Sequence, residues 1–243
     1  MGDFRFRQFT VSQDRSALKT GTDAVLLGSI MTLPDTGGVL LDIGTGSGVI
    51  ALMAAQRLAG CNSPDWRITA IDIDGPSIED ARDNFAASPW AGHLSARHCS
   101  LEEFGRDSAE DSYHAIFSNP PYYDNSLPNP DAREAEARHT STLSYRDILA
   151  FAADRLIEGE GILSLILPSE EERRLLRTAA SFGLFPFRMT RIRTVEGKAP
   201  RRTVAEFRRC NGTGPVCSEE ELTLQRDGRK TEEYTELCRE FYL

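Results

Sequence analysis

The 243-residue chain lacks the means for a disulfide framework. Its five cysteines, Cys61, Cys99, Cys210, Cys217 and Cys238, are odd in number and include no Cys-x-x-Cys pair. Free thiols in a reducing compartment are expected, and with them a cytoplasmic location. The four histidines, His93, His98, His114 and His139, show no H-x-x-x-H spacing, and no Cys/His cluster has zinc-ligand spacing. No metal is expected. No run reaches the roughly 18 apolar residues that a membrane span needs. Met1 to Phe9 alternates Phe with Arg where a signal peptide would be apolar, so neither insertion nor secretion is expected. Positive charge is also scarce, with 28 Lys plus Arg against 37 Asp plus Glu and a net charge of -9. That balance excludes adhesion to nucleic acid by bulk charge, so a nucleic-acid partner must be held by a local basic patch. Internal repeats and low-complexity segments are absent.

What is present is the composition of an ordinary globular protein, 40% hydrophobic and 27% charged. At about 150 residues per domain, the length suits one large domain with appendages better than two independent ones. Val39 to Ile43 reads as a strand, a glycine-rich turn follows, and Val49 to Leu58 reads as a helix. Arg67 to Asp72 and a Pro76-initiated helix carrying Ile78, Ala81 and Phe85 repeat the unit. Leu94 to Cys99 is a weaker strand, and Glu102 to Asp111 reads as a solvated acidic segment. Ala115 to Ser118 is the next apolar strand, and a long charged, Pro-containing connection runs from there to Leu143.

Ser144 is expected to cap a helix with the stripe Ile148, Leu149, Ala152, Leu156 and Ile157. The strand Gly161 to Leu167 then leads to Ser169 and Glu172, spaced as a capping box, and a helix ending near Gly183. Arg188 to Val195 and Thr203 to Arg208 are strand candidates. Glu219 to Leu243 reads as a strand, a turn at Asp227-Gly228 and a helix carrying Leu237 and Phe241. Repeated βα alternation implies a doubly wound α/β fold with a mostly parallel sheet and an antiparallel C-terminal strand.

Two motifs carry chemistry. Asp42-Ile-Gly44-Thr-Gly46-Ser-Gly48 places three glycines two residues apart at a strand-to-helix turn, where backbone N–H groups can approach a ligand. The spacing is not the G-x-G-x-x-G of dinucleotide folds, and no P-loop Lys follows. Asp72 ends the next strand, where a carboxylate can accept from ribose hydroxyls. Alone, the turn also reads as a tight corner, and Asp72 as a helix cap. On consecutive βα units they favour a nucleoside cofactor, and here the sequence resembles the Rossmann-like methyltransferases that use S-adenosylmethionine. That resemblance implies that Asp42, Gly44, Gly46 and Gly48 line the methionine and ribose portions. It also implies that Asp72 holds the ribose and that Ser100-Leu101 sits beside the adenine. Many relatives carry Asp where Ser100 stands.

The second motif, Asn119-Pro120-Pro121-Tyr122, follows an apolar strand at the carboxyl edge where open α/β sheets bind ligands. The prolines fix φ and remove N–H groups, leaving carbonyl acceptors in a rigid turn. Asn119 and the Pro120 carbonyl can accept both protons of a planar exocyclic amine, and Tyr122 can stack a base. A rigid turn with a packed tyrosine is the plainer reading. The tetrapeptide resembles the signature of amino methyltransferases acting on adenine N6, guanine N2 or glutamine amide. Asn119 would then border the cofactor as well.

Phe4 to Phe9 alternates aromatic and cationic residues, including Arg5 and Arg7, and suits either an edge strand or nucleic-acid contact. Lys19-Thr20-Gly21-Thr22 leads into a helix that Thr22 or Asp23 could cap. Between Arg188 and Cys210, eight basic residues (Arg188, Arg191, Arg193, Lys198, Arg201, Arg202, Arg208, Arg209) face only Glu196 and Glu206. They suggest a phosphate track, though a solvated strand face fits too.

These pieces, with Ala137-Arg138-His139-Thr140 and the terminal Glu232-Glu-Tyr to Phe241-Tyr-Leu243, are similar to the bacterial valine-tRNA adenine-37 N6-methyltransferase family over nearly the whole chain. The resemblance implies a single methyltransferase domain over 1–243, with 1–36 closing on substrate and cofactor and 219–243 as a strand-helix appendage. It also implies that Lys19 to Thr22 help close the cofactor pocket, that Arg138 and His139 lie on the substrate side, and that tRNA is the partner. The implied reaction is methyl transfer to N6 of an adenosine. Methylation of rRNA guanine or protein glutamine, and a non-catalytic RNA-binding module, remain alternatives.

Overall fold

The computed structural model describes residues 3–16, 19–60, 65–108, 112–121, 143–212 and 214–242. Two short strands, β1 (Phe4–Arg5) and β2 (Thr10–Val11), precede α1 (Thr22–Ile30). Then come β3 (Gly38–Ile43), α2 (Val49–Leu58), β4 (Trp66–Asp72), α3 (Gly75–Ala87) and β5 (Leu94–His98). They are followed by α4 (Leu101–Asp107), β6 (Ala115–Ser118), α5 (Tyr145–Arg155) and β7 (Ile162–Pro168). The last third holds α6 (Glu172–Ser181), β8 (Leu184–Val195), β9 (Arg202–Arg209), β10 (Ser218–Arg226), β11 (Arg229–Lys230) and α7 (Glu232–Leu237).

A nine-stranded sheet forms in the order β11-β10-β8-β9-β7-β6-β3-β4-β5. From β5 to β7 every pairing is parallel, and β9 runs antiparallel to both β7 and β8. Strand β10 is parallel to β8, and β11 turns back against it. The central strands are apolar on both faces, as burial between two helical layers requires. One core packs α1, α2, α3 and α7 on one face, and Phe6 and Phe9 join it beside Phe241. The other packs α4, α5 and α6. Among the described residues no helix is long and apolar enough to cross a membrane.

The structure corrects several local expectations. The acidic segment from Glu102 is helical through Asp107, because Ser100 and Glu103 form a capping box and Phe104 is buried beneath it. Ser169 and Glu172 form no such box: Ser169–Glu171 is a 3-10 turn, and no side chain caps α6. The Glu172 carboxylate is instead held by Arg191 and Thr203. Strand β8 begins at Leu184, four residues before Arg188. Helix α5 stops at Arg155, with Leu156 bridging Tyr113, and α7 ends before Phe241, which is nonetheless buried. Neither Thr22 nor Asp23 caps α1; its N-cap is Gly21.

Arg188 also departs from the expected phosphate track. Its guanidinium donates to Glu206 and to the Ile30 carbonyl at the end of α1. Glu206 is fully buried and accepts further bonds from Ser164 Oγ at 2.9 Å and the Thr32 N–H at 2.6 Å. This network ties α1 to the centre of the sheet. Removing one member of a buried pair strands the other charge, so Glu206→Ala is expected to cost about 3–5 kcal/mol. Urea unfolding checks this, and a loss below about 1 kcal/mol would show that the network is not holding the helix.

Candidate active site

Three strand ends meet at one level. Ile43 on β3 pairs with Ile71 on β4 on one side and Ser118 on β6 on the other. Buried Ser118 donates its hydroxyl to the Ile43 carbonyl at 2.6 Å. Gly44, Asp72 and Asn119 therefore leave adjacent strands side by side, with neighbouring strands about 4.8 Å apart. Asp72 pairs in turn with His98 on β5, two residues before Ser100. The described residues of both motifs thus come together along one carboxyl edge.

The glycine turn is shaped for close approach. The Gly44 and Thr45 N–H groups both donate to the Ile71 carbonyl. Gly46 has φ +56°, and a Cβ there would meet nothing within 4 Å, so its open side faces free space. Gly48 has φ +86° and a different constraint: a Cβ would lie 2.5 Å from Phe85, which fixes how closely α2 packs on α3.

Two carboxylates flank the turn. Asp72 accepts from the Gly46 N–H at 2.8 Å and the Asp74 N–H at 2.9 Å. Each oxygen keeps acceptor capacity for hydroxyl donors, as a ribose requires. Asp42 is fully buried; one oxygen accepts from Thr45 Oγ1 at 2.6 Å, and the other has no hydrogen-bond partner among the described residues. Burial pushes its carboxyl up to about 7, against the Thr45 bond and with help from the Asp72 charge. An orphaned buried acceptor, an open glycine and a half-used carboxylate fit a ligand carrying an ammonium group and ribose hydroxyls. Ile73, 52% exposed beside Asp72, adds an apolar surface to the same edge.

Ser100 stands where expected, but its hydroxyl donates to Glu103 Oε2 at 2.9 Å and accepts from the Glu103 N–H at 3.2 Å. Its side chain is engaged as a helix cap, which Asp performs equally well. Leu101 beside it is half-buried. Asn119 and Pro121 are half-buried and Pro120 is buried. Tyr122, Arg138 and His139 lie outside the described residues.

The N-terminal segment is strapped over the glycine turn. Asn84 on α3 accepts from the Ser12 N–H and donates to the carbonyls of Ser12 and Ser47 at 2.8 to 2.9 Å. Asp80, one turn earlier, accepts from the Arg15 and Ser16 N–H groups and the Ser16 hydroxyl. Lys19 Nζ donates to the carbonyls of Gln13 and Ser16, and the Thr20 N–H donates to Gln13. The Thr20 hydroxyl is buried without a partner among the described residues. Asp80 and Asn84 went unrecognised in the sequence; the signal was a polar i, i+4 pair bordering the stripe Ala81 and Phe85.

Asp23, in the first turn of α1, pairs with Arg202 at 2.8 Å. The Tyr145 hydroxyl at the start of α5 is buried without a partner among the described residues, and burial raises its pKa. Leu143, just before that helix, lies close to Gly44, whose Cβ would stand 3.4 Å from it. The basic candidates divide accordingly. Arg191 pairs with Glu172 and Glu219, Arg193 with Glu221 and Arg202 with Asp23, so their charge is compensated within the fold. Lys198 and Arg201 are exposed and make no ion pair among the described residues. Arg5 is exposed, and Arg7 donates to the Tyr242 carbonyl at 2.6 Å, tying the N-terminus to the C-terminus.

A parallel sheet with a glycine turn and an Asn-Pro-Pro turn on adjacent strands defines a Rossmann-like methyltransferase. The methyltransferase small domain family matches residues 15–161. The fold is shared with a predicted O-methyltransferase from Agrobacterium tumefaciens, at TM-score 0.68 and 18% identity over 90% of this chain and 96% of that one. A tRNA1(Val) (adenine(37)-N6)-methyltransferase from Phocaeicola vulgatus is 40% identical over 99% of this chain and 97% of its own length. One of the same description from Flavobacterium johnsoniae is 38% identical over 99% of each chain. The chain belongs to the tRNA1(Val) (adenine(37)-N6)-methyltransferase family.

Asp42 and Asn84 yield two tests. The folded chain binds the Asp42 proton more tightly than the unfolded chain, so this residue's contribution to stability is greatest in acid and is lost as pH rises through about 7. The ionised form is the one that attracts a ligand ammonium. S-adenosylmethionine affinity should therefore strengthen several-fold between about pH 6 and about pH 8, and the dependence should flatten in Asp42→Asn. Calorimetric titration across that range decides, and a flat wild-type profile would remove Asp42 from the binding site. Asn84→Ala should weaken the same affinity by about tenfold through loss of the strap, while Asn84→Asp keeps part of it. Unchanged affinity in Asn84→Ala would show the strap to be structural only.

Proposed function

We propose that the chain transfers a methyl group from S-adenosylmethionine to N6 of an adenosine in tRNA, at position 37 of a valine tRNA. The observation that carries this reading is the shared level of Gly44 and Asn119, fixed by the Ser118 bond to Ile43. It sets a turn built for a nucleoside cofactor beside a turn built for a planar amine. Family membership narrows the amine to adenine N6.

The division of labour follows from the residues. Asp72 accepts the ribose hydroxyls, Gly46 leaves room for them, and Asp42 meets the methionine ammonium. Lys19, Thr20, Gly21 and Thr22, held by the strap, cover the same pocket. S-adenosylmethionine supplies an electrophilic methyl group on a sulfonium.

At the acceptor, the amine lone pair is delocalised into the ring. Asn119 and the Pro120 carbonyl accept hydrogen bonds from its two N–H groups, favour a pyramidal nitrogen and aim the lone pair; as the N–C bond forms, the methyl–sulfur bond would break to leave a neutral thioether, and the surplus amine proton would pass to solvent. Positioning supplies most of the acceleration, so no histidine base is needed. Tyr122 offers a stacking face worth about 1–3 kcal/mol for an extruded base. Arg138 and His139 belong to the substrate side, and Lys198 and Arg201 to the phosphate contacts, with Arg5 as a further contact.

Labelled methyl transfer to separate pools of unmodified tRNA, rRNA and protein tests the reading, with N6-methyladenosine expected in tRNA alone. Asn119→Ala should lower turnover by about a hundredfold or more. Its S-adenosylmethionine affinity should stay near that of wild type. Turnover within tenfold of wild type, or lost cofactor binding in the folded variant, would defeat this assignment of Asn119.

A further inference from the structure

The β10–β11 hairpin lies far from every motif above, yet the strand directions bring it to the reacting side. Across the sheet, Ser118 pairs with Leu165, Leu165 with Ala205, Ala205 with Met189 and Met189 with Glu219. Strand β10 therefore stands four strand steps from β6, about 19 Å away at about 4.8 Å per step. It runs parallel to β8, and past Glu219 it continues to Arg226, a rise of about 23 Å at about 3.3 Å per residue. The hairpin thus rises beyond the carboxyl edge that holds Asn119 and flanks that edge as a wall.

The tip of this wall is basic in a chain of net charge -9. Arg226, Arg229 and Lys230 are exposed there and, with Asp227, Thr231 and Glu232, line a shallow pocket of about 420 Å³. Arg229 makes no ion pair among the described residues, and Lys230 lies over the rings of Tyr234 and Tyr242. Arg226 pairs with Glu196, but both side chains are more than half exposed, so a stronger anion can displace the glutamate. The Glu196 N–H donates to the Gln225 carbonyl, and Arg193 donates to the Lys198 carbonyl, so the β8–β9 turn carrying Lys198 and Arg201 is fastened beside the hairpin. Cations without buried partners therefore run from Arg201, next to the reacting edge, out to Lys230.

We infer that the β10–β11 hairpin is a second docking element for structured RNA, and that Arg226, Arg229 and Lys230 contact backbone phosphates of the arm whose loop carries the reacting nucleotide. It rests on the tRNA methyltransferase reading. The span suits it: about 19 Å across and about 23 Å up place the tip about 30 Å from the reacting edge, roughly nine nucleotide steps at about 3.4 Å, so the hairpin addresses phosphates well away from the methylated base. Such contacts fix register without reading sequence. A single nucleotide held at Asn119 could not reach them.

The test is the salt dependence of full-length tRNA binding by wild type and by the variant combining Arg226→Gln, Arg229→Gln and Lys230→Gln. S-adenosylmethionine affinity serves as the control for folding. The variant should lose at least tenfold in tRNA affinity at physiological salt, and its slope against log salt should be shallower by about two. If it also loses cofactor binding, the single variants Arg229→Gln and Lys230→Gln decide, each expected to cost about threefold.

Affinity and slope within twofold of wild type, in an enzyme that methylates tRNA, would overturn the hairpin and leave the activity standing. A wild-type chain that binds tRNA through the hairpin but methylates nothing would uphold the surface and overturn the activity. A wild-type chain that binds no tRNA would overturn both.

Discussion

The parallel register at Ile43 is the constraint on which the site depends. Strand β3 lies between β4 and β6, and the order of the sheet reverses about it, so crossover helices leave a crevice at its carboxyl end. Ile43 pairs with Ile71 and Ser118 at one level, and the Ser118 hydroxyl fixes that level by bonding the Ile43 carbonyl. A slip of one residue would exchange Ile116 with Ala115 and Phe117 between the two cores and carry Asn119 away from Gly44. No cationic or metal centre is required to bring the two turns together, because strand pairing has already done so.

On this frame the buried polar groups divide by whether their partners come from the fold. Glu206 is saturated by Ser164, Thr32 and Arg188, and acts as an anchor for α1. Asn84 makes three bonds in all and joins the N-terminal segment to Ser47 in the glycine turn. Asp42, Thr20 and Tyr145, by contrast, each keep a buried oxygen without a partner among the described residues. Buried acceptors are rarely left unpaired without cause. Asp42 lies at the glycine turn and Thr20 in the strapped segment; Gln56 Oε1 and Arg208 Nε are likewise unpartnered among the described residues. Tyr145 adjoins the Asp23 and Arg202 pair. Part of the unused hydrogen-bonding capacity therefore lies at the glycine turn and in the segment strapped to it.

Much of this was legible in the residues. The βα alternation, the glycine turn ending in Asp72 and the strand leading to Asn119 are local patterns, and local patterns survive folding. The acidic stretch after Ser100 was misread because its apolar content is a single turn's worth, Leu101 and Phe104, too little for periodicity to register. Ser169 and Glu172 had capping-box spacing, but Arg191 lies 19 residues further on and forms a stronger bidentate contact with the carboxylate. Asp80 and Asn84 were passed over, since nothing local says that residues 12–16 fold across them. The last two misses share an origin: a long-range partner outbid or supplied the contact that local spacing suggested.

The arginines carry that argument to the surface. A linear count gives a strongly basic stretch between Arg188 and Cys210, but the count ignores acids contributed from elsewhere. Glu172, Glu219, Glu221 and Asp23 come from α6, β10 and α1 and neutralise Arg191, Arg193 and Arg202. Glu206 does the same for Arg188 inside the sheet. What remains uncompensated lies at the ends of strands, where the chain turns in solvent and no opposing strand supplies a carboxylate. Among the described residues, those of this stretch without an ion pair sit at both edges of the sheet: Lys198 and Arg201 towards the carboxyl edge that also bears Asn119, Arg208 and Arg209 at the opposite end of β9. In a chain of net charge -9 a polyanion is held only where such local clusters outweigh the acids around them, so the placement of the unpaired cations, and not their number, decides how it docks.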